Sequence, residues 1–152
     1  MTQVTNIHLQ TQSANTNWQT ENLVQFVEID LHICLKNSNE SQLRQIQRAA
    51  RKIEKLGVKN PHLTGDHWNE EAQWSFALGF TSVGKLTSIT FTGSSECVNR
   101  LNNKLAIFAW SRDLINQTPS ELYPLKLAEL AADYINAQAP SYVTTTLTQG
   151  DE

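Results

Sequence analysis

IDLHICLKNSNESQLRQIQRAARKIEKLGVKNPHLTG, residues 29–65, decides the fold. From Ile29 to Leu35 the apolar residues Ile29, Leu31, Ile33 and Leu35 alternate with Asp30, His32 and Cys34, the period of two that marks a half-buried strand. Asn37, Ser38 and Asn39 then supply helix N-cap candidates. Leu43, Ile46, Ala50, Ile53 and Leu56 follow at steps of three and four until Gly57. His62 to Gly65, after Pro61, reads as a second short strand. Strand, helix and strand within one short segment is the unit from which parallel sheets are built.

Working outward, Ile7 to Leu9 reads as a first strand and Gln10 to Asn22 as a polar loop anchored by Trp18. Leu23 to Glu28 belongs to the strand at Ile29 or to its hairpin partner, with a turn near Glu28 that no Gly marks. Downstream, Asp66 could cap a helix over Asn69 to Leu78 that ends at Gly79. Leu86 to Thr92 alternates again, with Leu86, Ile89 and Phe91 as core candidates. Ser94 or Ser95 opens a long helix to about Asn116. One of its faces carries Val98, Leu101, Leu105 and Phe108, another Ile107, Trp110 and Leu114, a pattern expected of a helix wedged between layers. Thr118-Pro119-Ser120-Glu121 has the form of a capping box, and Pro124 starts a further helix with Leu127, Leu130, Ala131, Tyr134 and Ile135 on one face. Residues 141–148, SYVTTTLT, read as a strand.

The fold class expected is therefore α/β, a mixed β-sheet with flanking helices plus a long connecting helix. Domain limits are expected at 1–93, 94–117 and 118–152. A chain of 152 residues with 39% hydrophobic content suits an ordinary soluble core. Its formal charge of −3 offers no overall field for nucleic acid or anionic lipid. The amino terminus has no export signal and no apolar run is long enough to span a bilayer, so a cytoplasmic protein is expected. Cys34 and Cys97 are too few and too far apart for a disulfide framework or a zinc knuckle, and are expected to be reduced and buried.

The search for chemistry yields little. His62, Asp66, His67, Glu70 and Glu71 form the densest group of potential ligands, but their spacing fits no favoured metal pattern. Asp66 as a cap and Glu70 and Glu71 in the positive first turn of a helix are preferred to a metal role. Cys97 near a helix start could be activated, yet no histidine lies near it in sequence, so a small buried hydrophobe is preferred. His8 and His32 sit in strands and take no role. Arg44, Arg48, Arg51 and Lys55 line one side of the first helix, a solvated face or else a subunit contact. Phosphate-binding glycine loops and the G-x-S-x-G elbow are absent from the sequence. No catalytic, cofactor-binding or metal-binding residue is assigned.

QRAARKIEKLGVKNPHLTG (47–65) and RDLINQTPSELYPLKLAELAADYI (112–135) resemble the non-catalytic amino-terminal part of the leucyl aminopeptidase family, and within it the peptidase B type. Arg112, Asp113, Asn116, Pro119 and Pro124 occupy places of the family's junction pattern. The resemblance implies an amino-terminal α/β domain, a connecting helix, and the first helix and strand of a catalytic domain cut away after residue 152. In the parent it implies metal-dependent removal of N-terminal amino acids by a cytosolic homohexamer. Two divalent ions, manganese expected, would be held by an Asn-Thr-Asp-Ala-Glu-Gly-Arg motif and its neighbours. That motif does not occur here, so none of those roles is carried onto this chain. The expected partners are the chain's own catalytic domain and sister subunits, with peptides met only by the missing domain. The rival expectation is a freestanding α/β protein-binding module.

Overall fold

The computed structural model describes residues 4–11, 22–81 and 88–138. Four strands form one sheet, β1 (Val4–Thr11), β2 (Val24–Val27), β3 (Asp30–Leu35) and β4 (Asn60–Thr64). Among the described residues four helices accompany them, α1 (Gln42–Lys55), α2 (Glu70–Phe80), α3 (Ser95–Ile115) and α4 (Pro124–Gln138). The spatial order is β2-β3-β1-β4, with β3 and β4 each parallel to β1 and only β2 antiparallel, so the fold is α/β with a mixed sheet. The strand, helix, strand unit thus exists, but its two strands are separated by β1.

Burial explains the elements. Ile7, Leu9, Leu31, Ile33, Leu35 and Leu63 point to one face of the sheet and meet Ile46, Ala49, Ala50 and Ile53 of α1 and Phe76, Ala77 and Phe80 of α2. Trp68 closes this core, donating its indole N–H to the Ile7 carbonyl at 3.1 Å and meeting Phe76 edge-on at 5.7 Å. A buried indole normally finds such a partner, which fixes its ring in place. Leu101 and Leu105 of α3, with Ile89 and Phe91, complete the same cluster.

Several boundaries differ from the sequence reading, each for a physical reason. Ile29 is 82% exposed, because it sits in the two-residue turn with Glu28 rather than in β3. Glu28 takes φ 57°, a conformation that costs a non-glycine residue about 1–2 kcal/mol. The cap of α1 is Ser41, whose hydroxyl accepts from the Arg44 N–H, and not residues 37–39. Asn69, not Asp66, caps α2 by accepting the Ala72 N–H at 2.8 Å. Nor does α2 stop at Gly79. It continues to Phe80 because Gly79 is a contact point with α1. Strand β4 includes Pro61, whose carbonyl accepts from Thr90, so its missing N–H lies on the side away from β1. Leu43 and Leu56 stay exposed while Gln45, unmarked by the apolar period, is 2% exposed.

Thr90 makes only an isolated bridge to His62, with Ile89 and Phe91 buried on either side. Leu86, Trp18 and the strand expected at 141–148 lie outside the described residues. The chain divides into two compact units, 1–106 and 107–152, the division falling inside α3. In the second unit Trp110 stacks on Tyr134 with ring centres 4.4 Å apart, and Arg112 lies over Phe108. Thr118 to Glu121 closes the reciprocal bond of a capping box, Glu121 accepting the Thr118 N–H, but only as a turn. The helix itself starts at Pro124. No residue of α4 is buried, and Leu127 is 42% exposed.

Candidate functional site

The face of the sheet opposite the core carries the groups that alternation leaves over. Register brings His8 of β1 beside His32 of β3, and their rings stack with centres 4.7 Å apart. Asp30 joins them, its carboxylate lying 3.2 Å from His8 Nε2 and accepting from Asn6 Nδ2 at 3.0 Å. Burial holds the His32 imidazole below its usual pKa, repulsion from His8 adds to this, and Asp30 offsets part of it. His32 Nδ1 is buried without a hydrogen-bond partner among the described residues. Asp30 therefore orients His8 and ties β1 to β3. Chemically this is an imidazole held in place by a carboxylate. Sequence reading gave these residues no role because only the register of two distant strands brings them together.

The densest group of potential ligands in the sequence does not converge, in keeping with the preference against a metal role. His62 lies in β4, Asp66 and His67 are exposed in the turn after it, and Glu71 is exposed on α2. Glu70 instead faces α3, accepting from Arg100 at 2.9 Å and from Lys104 at 2.9 Å, while Arg100 also reaches Glu96 at 2.7 Å. These cations hold the Glu70 carboxyl well below the usual carboxylate range, at about 2. A carboxyl whose pKa falls on folding adds stability above its unfolded value, and that addition is lost as pH drops through the folded one. Acid destabilisation of the wild type should therefore include a component between pH about 4.5 and about 2 that Glu70→Gln lacks. Urea denaturation at a series of pH values checks this, and identical profiles for the two proteins would contradict it.

Among the described residues no three His, Cys, Asp or Glu side chains stand close enough to hold a metal ion. Cys34 is buried and its thiol is pushed up by that burial, which keeps it protonated. Cys97 is half-buried at the start of α3, its N–H bonded to the Ser94 hydroxyl. Arg44, Arg48, Arg51 and Lys55 are all exposed along α1. A cavity of about 220 Å³ lies where β1 and β3 end and α1 begins, lined among others by Thr11, Lys36, Ser38 and Glu40. Glu40 is taken up by Arg48 at 2.8 Å. No helix among the described residues is long and apolar enough to cross a membrane.

Two residues missed by sequence reading hold the connections together. Gln45 accepts the Lys36 N–H at 2.8 Å and donates to the carbonyls of Lys36 and Glu40 and to the Ser38 hydroxyl. Gln73 does the same for Thr92, accepting its N–H at 2.8 Å and donating to its carbonyl at 2.9 Å. Each acts as a side-chain substitute for a neighbouring strand.

Comparison with known proteins adds to this geometry. The family described as "DUF3663: Peptidase" matches residues 6–95, more than half of the chain. Among solved structures, "Bottromycin maturation enzyme BotP in complex with Mn" is similar in fold, with a TM-score of 0.55 at 12% identity. The alignment covers 92% of this chain and 37% of that one, so the present chain spans well under half of that enzyme's length.

Proposed function

Since the chain belongs to the DUF3663 peptidase family, we propose that it is the non-catalytic amino-terminal part of a cytosolic, metal-dependent aminopeptidase of the peptidase B type. Its role is architectural: to frame a catalytic domain and to pack between subunits of a homohexamer. The observation that carries this reading is the family match over residues 6–95. The fold shared with a manganese-bound enzyme more than twice as long supports it. The described residues do not fit a manganese site, and no chemical step is assigned to them. In this reading residues 1–93 are the accessory domain, 94–117 the connecting helix and 118–152 the start of the catalytic domain. The apolar side chains that α4 leaves exposed, Leu125, Leu127 and Ile135, are then surface for that domain to cover. Peptides meet the parent enzyme only at its catalytic domain, and neither nucleic acid nor membrane is a partner.

The purified 152-residue chain, given manganese and chromogenic Leu or Glu substrates, should release no amino acid above the buffer blank. Manganese-dependent release that survives further purification would overturn the proposal.

A further inference from the structure

The sheet face opposite the core holds two imidazoles that cannot both carry charge where they stand. β1 and β3 are parallel neighbours, and their register sets His8 directly beside His32. The rings lie nearly face to face, centres 4.7 Å apart and planes 16° apart. Two neutral imidazoles attract one another by dispersion at that spacing, whereas two imidazolium rings repel. The surroundings decide which ring can accept a proton. His8 Nε2 donates to the Asp30 carboxylate at 3.2 Å, so a charge on His8 meets an anion already in place. His32 is placed differently. A charged histidine carries an N–H on both ring nitrogens, and the Nδ1–H of His32 would be buried with no acceptor among the described residues. Such a group is costly to create. Burial, and after it the nearness of His8, accordingly hold the His32 imidazole below its usual range.

The other strands bring nothing that would neutralise a second charge. Gln25 stands opposite His32 on β2, Thr64 opposite His8 on β4, and His62 opposite Asn6 adds an imidazole and no anion. Cys34 follows His32 on the same face of β3, its thiol kept protonated by burial. Helices α1 and α2 pack on the core face of the sheet. Asp30 is thus the one carboxylate that acts on His32 among the described residues, and it is already engaged by His8 and Asn6. The strand these rings would be driven from is central, since β1 pairs with both β3 and β4 and its Ile7 carbonyl anchors the Trp68 indole. We infer that the stack of His8 on His32, held on one side by Asp30, is an acid-sensitive latch between β1 and β3, closed while His32 is neutral and opened when a second proton enters the pair. It belongs to the sheet itself and stands apart from the scaffold role proposed above.

A histidine whose pKa falls on folding adds stability above its unfolded value of about 6.5, and that addition is lost as pH drops through the folded one. Imidazole nitrogen NMR and amide exchange on the 152-residue chain test the latch. His32 should stay neutral at pH values where a free histidine is mostly charged. His8→Gln takes away the repelling ring and leaves the burial, so the titration midpoint of His32 should rise by about 0.5 or more. Between pH about 6.5 and about 5 the protection factors of β1 and β3 amides should fall several-fold while those of α1 hold. The urea midpoint of the wild type should fall over the same range, and that of His32→Gln should not. If His32→Gln does not fold, the titrations of the wild type and of His8→Gln decide the matter alone. A His32 that titrates as a free histidine, a midpoint unmoved by His8→Gln, or protection in β1 and β3 that ignores pH over this range would each overturn the inference.

Discussion

Gly79→Ala is expected to destabilise the protein by about 3 kcal/mol, seen as a lower urea midpoint at unchanged slope. A methyl at this position would lie 2.2 Å from the Gln47 carbonyl oxygen and 2.9 Å from Ala50 Cβ. The first of these is backbone, so no rotamer change can relieve it, and α1 and α2 must separate. Separation loosens the stacked pair Phe76 and Phe80, 5.5 Å apart, against the sheet. Alanine also favours the helix over glycine by about 1 kcal/mol, which opposes the clash without cancelling it. Wild-type stability in the variant would mean that the two helices do not approach this closely.

Gln45→Leu should cost a similar amount, about 3 kcal/mol. Leucine nearly preserves volume, so the substitution isolates the hydrogen bonds. The Lys36 N–H loses its acceptor, and the carbonyls of Lys36 and Glu40 lose their shared donor. Gln45 itself is 2% exposed, so water cannot readily take its place. Hydrogen exchange should then quicken first at the Lys36 amide, ahead of global unfolding. Unchanged protection at Lys36 would show that the strap is not what orders residues 36–41.

The elements with a long, regular period were legible in the sequence. The alternation that sends Leu31 and Ile33 of β3 into the core, the steps of α1 at Ile46, Ala50 and Ile53 and the extent of α3 were equally plain, because local burial decides them. What depends on distant pairing was not. The insertion of β1 between β3 and β4 has no local signature, and neither has the His8, Asp30 and His32 cluster that this insertion creates. Residues 37–41 hold several good caps, and the Gln45 strap leaves Ser41 as the one at the helix start. Gly79 reads as a stop from sequence because close helix contact and termination both call for a residue without a side chain. Glu70 sits in the first turn of α2, as its place in the sequence implies, while its pairing with Arg100 and Lys104, one turn apart on α3, is created only by the packing of α2 beside α3.

The central claim is that this chain is scaffold for chemistry carried on further polypeptide. Reading the coding frame past codon 152 in the source genome tests it most directly. The account predicts an open frame that continues into a domain carrying Asn-Thr-Asp-Ala-Glu-Gly-Arg. A stop codon at that point, with no remnant of such a domain downstream, would contradict it.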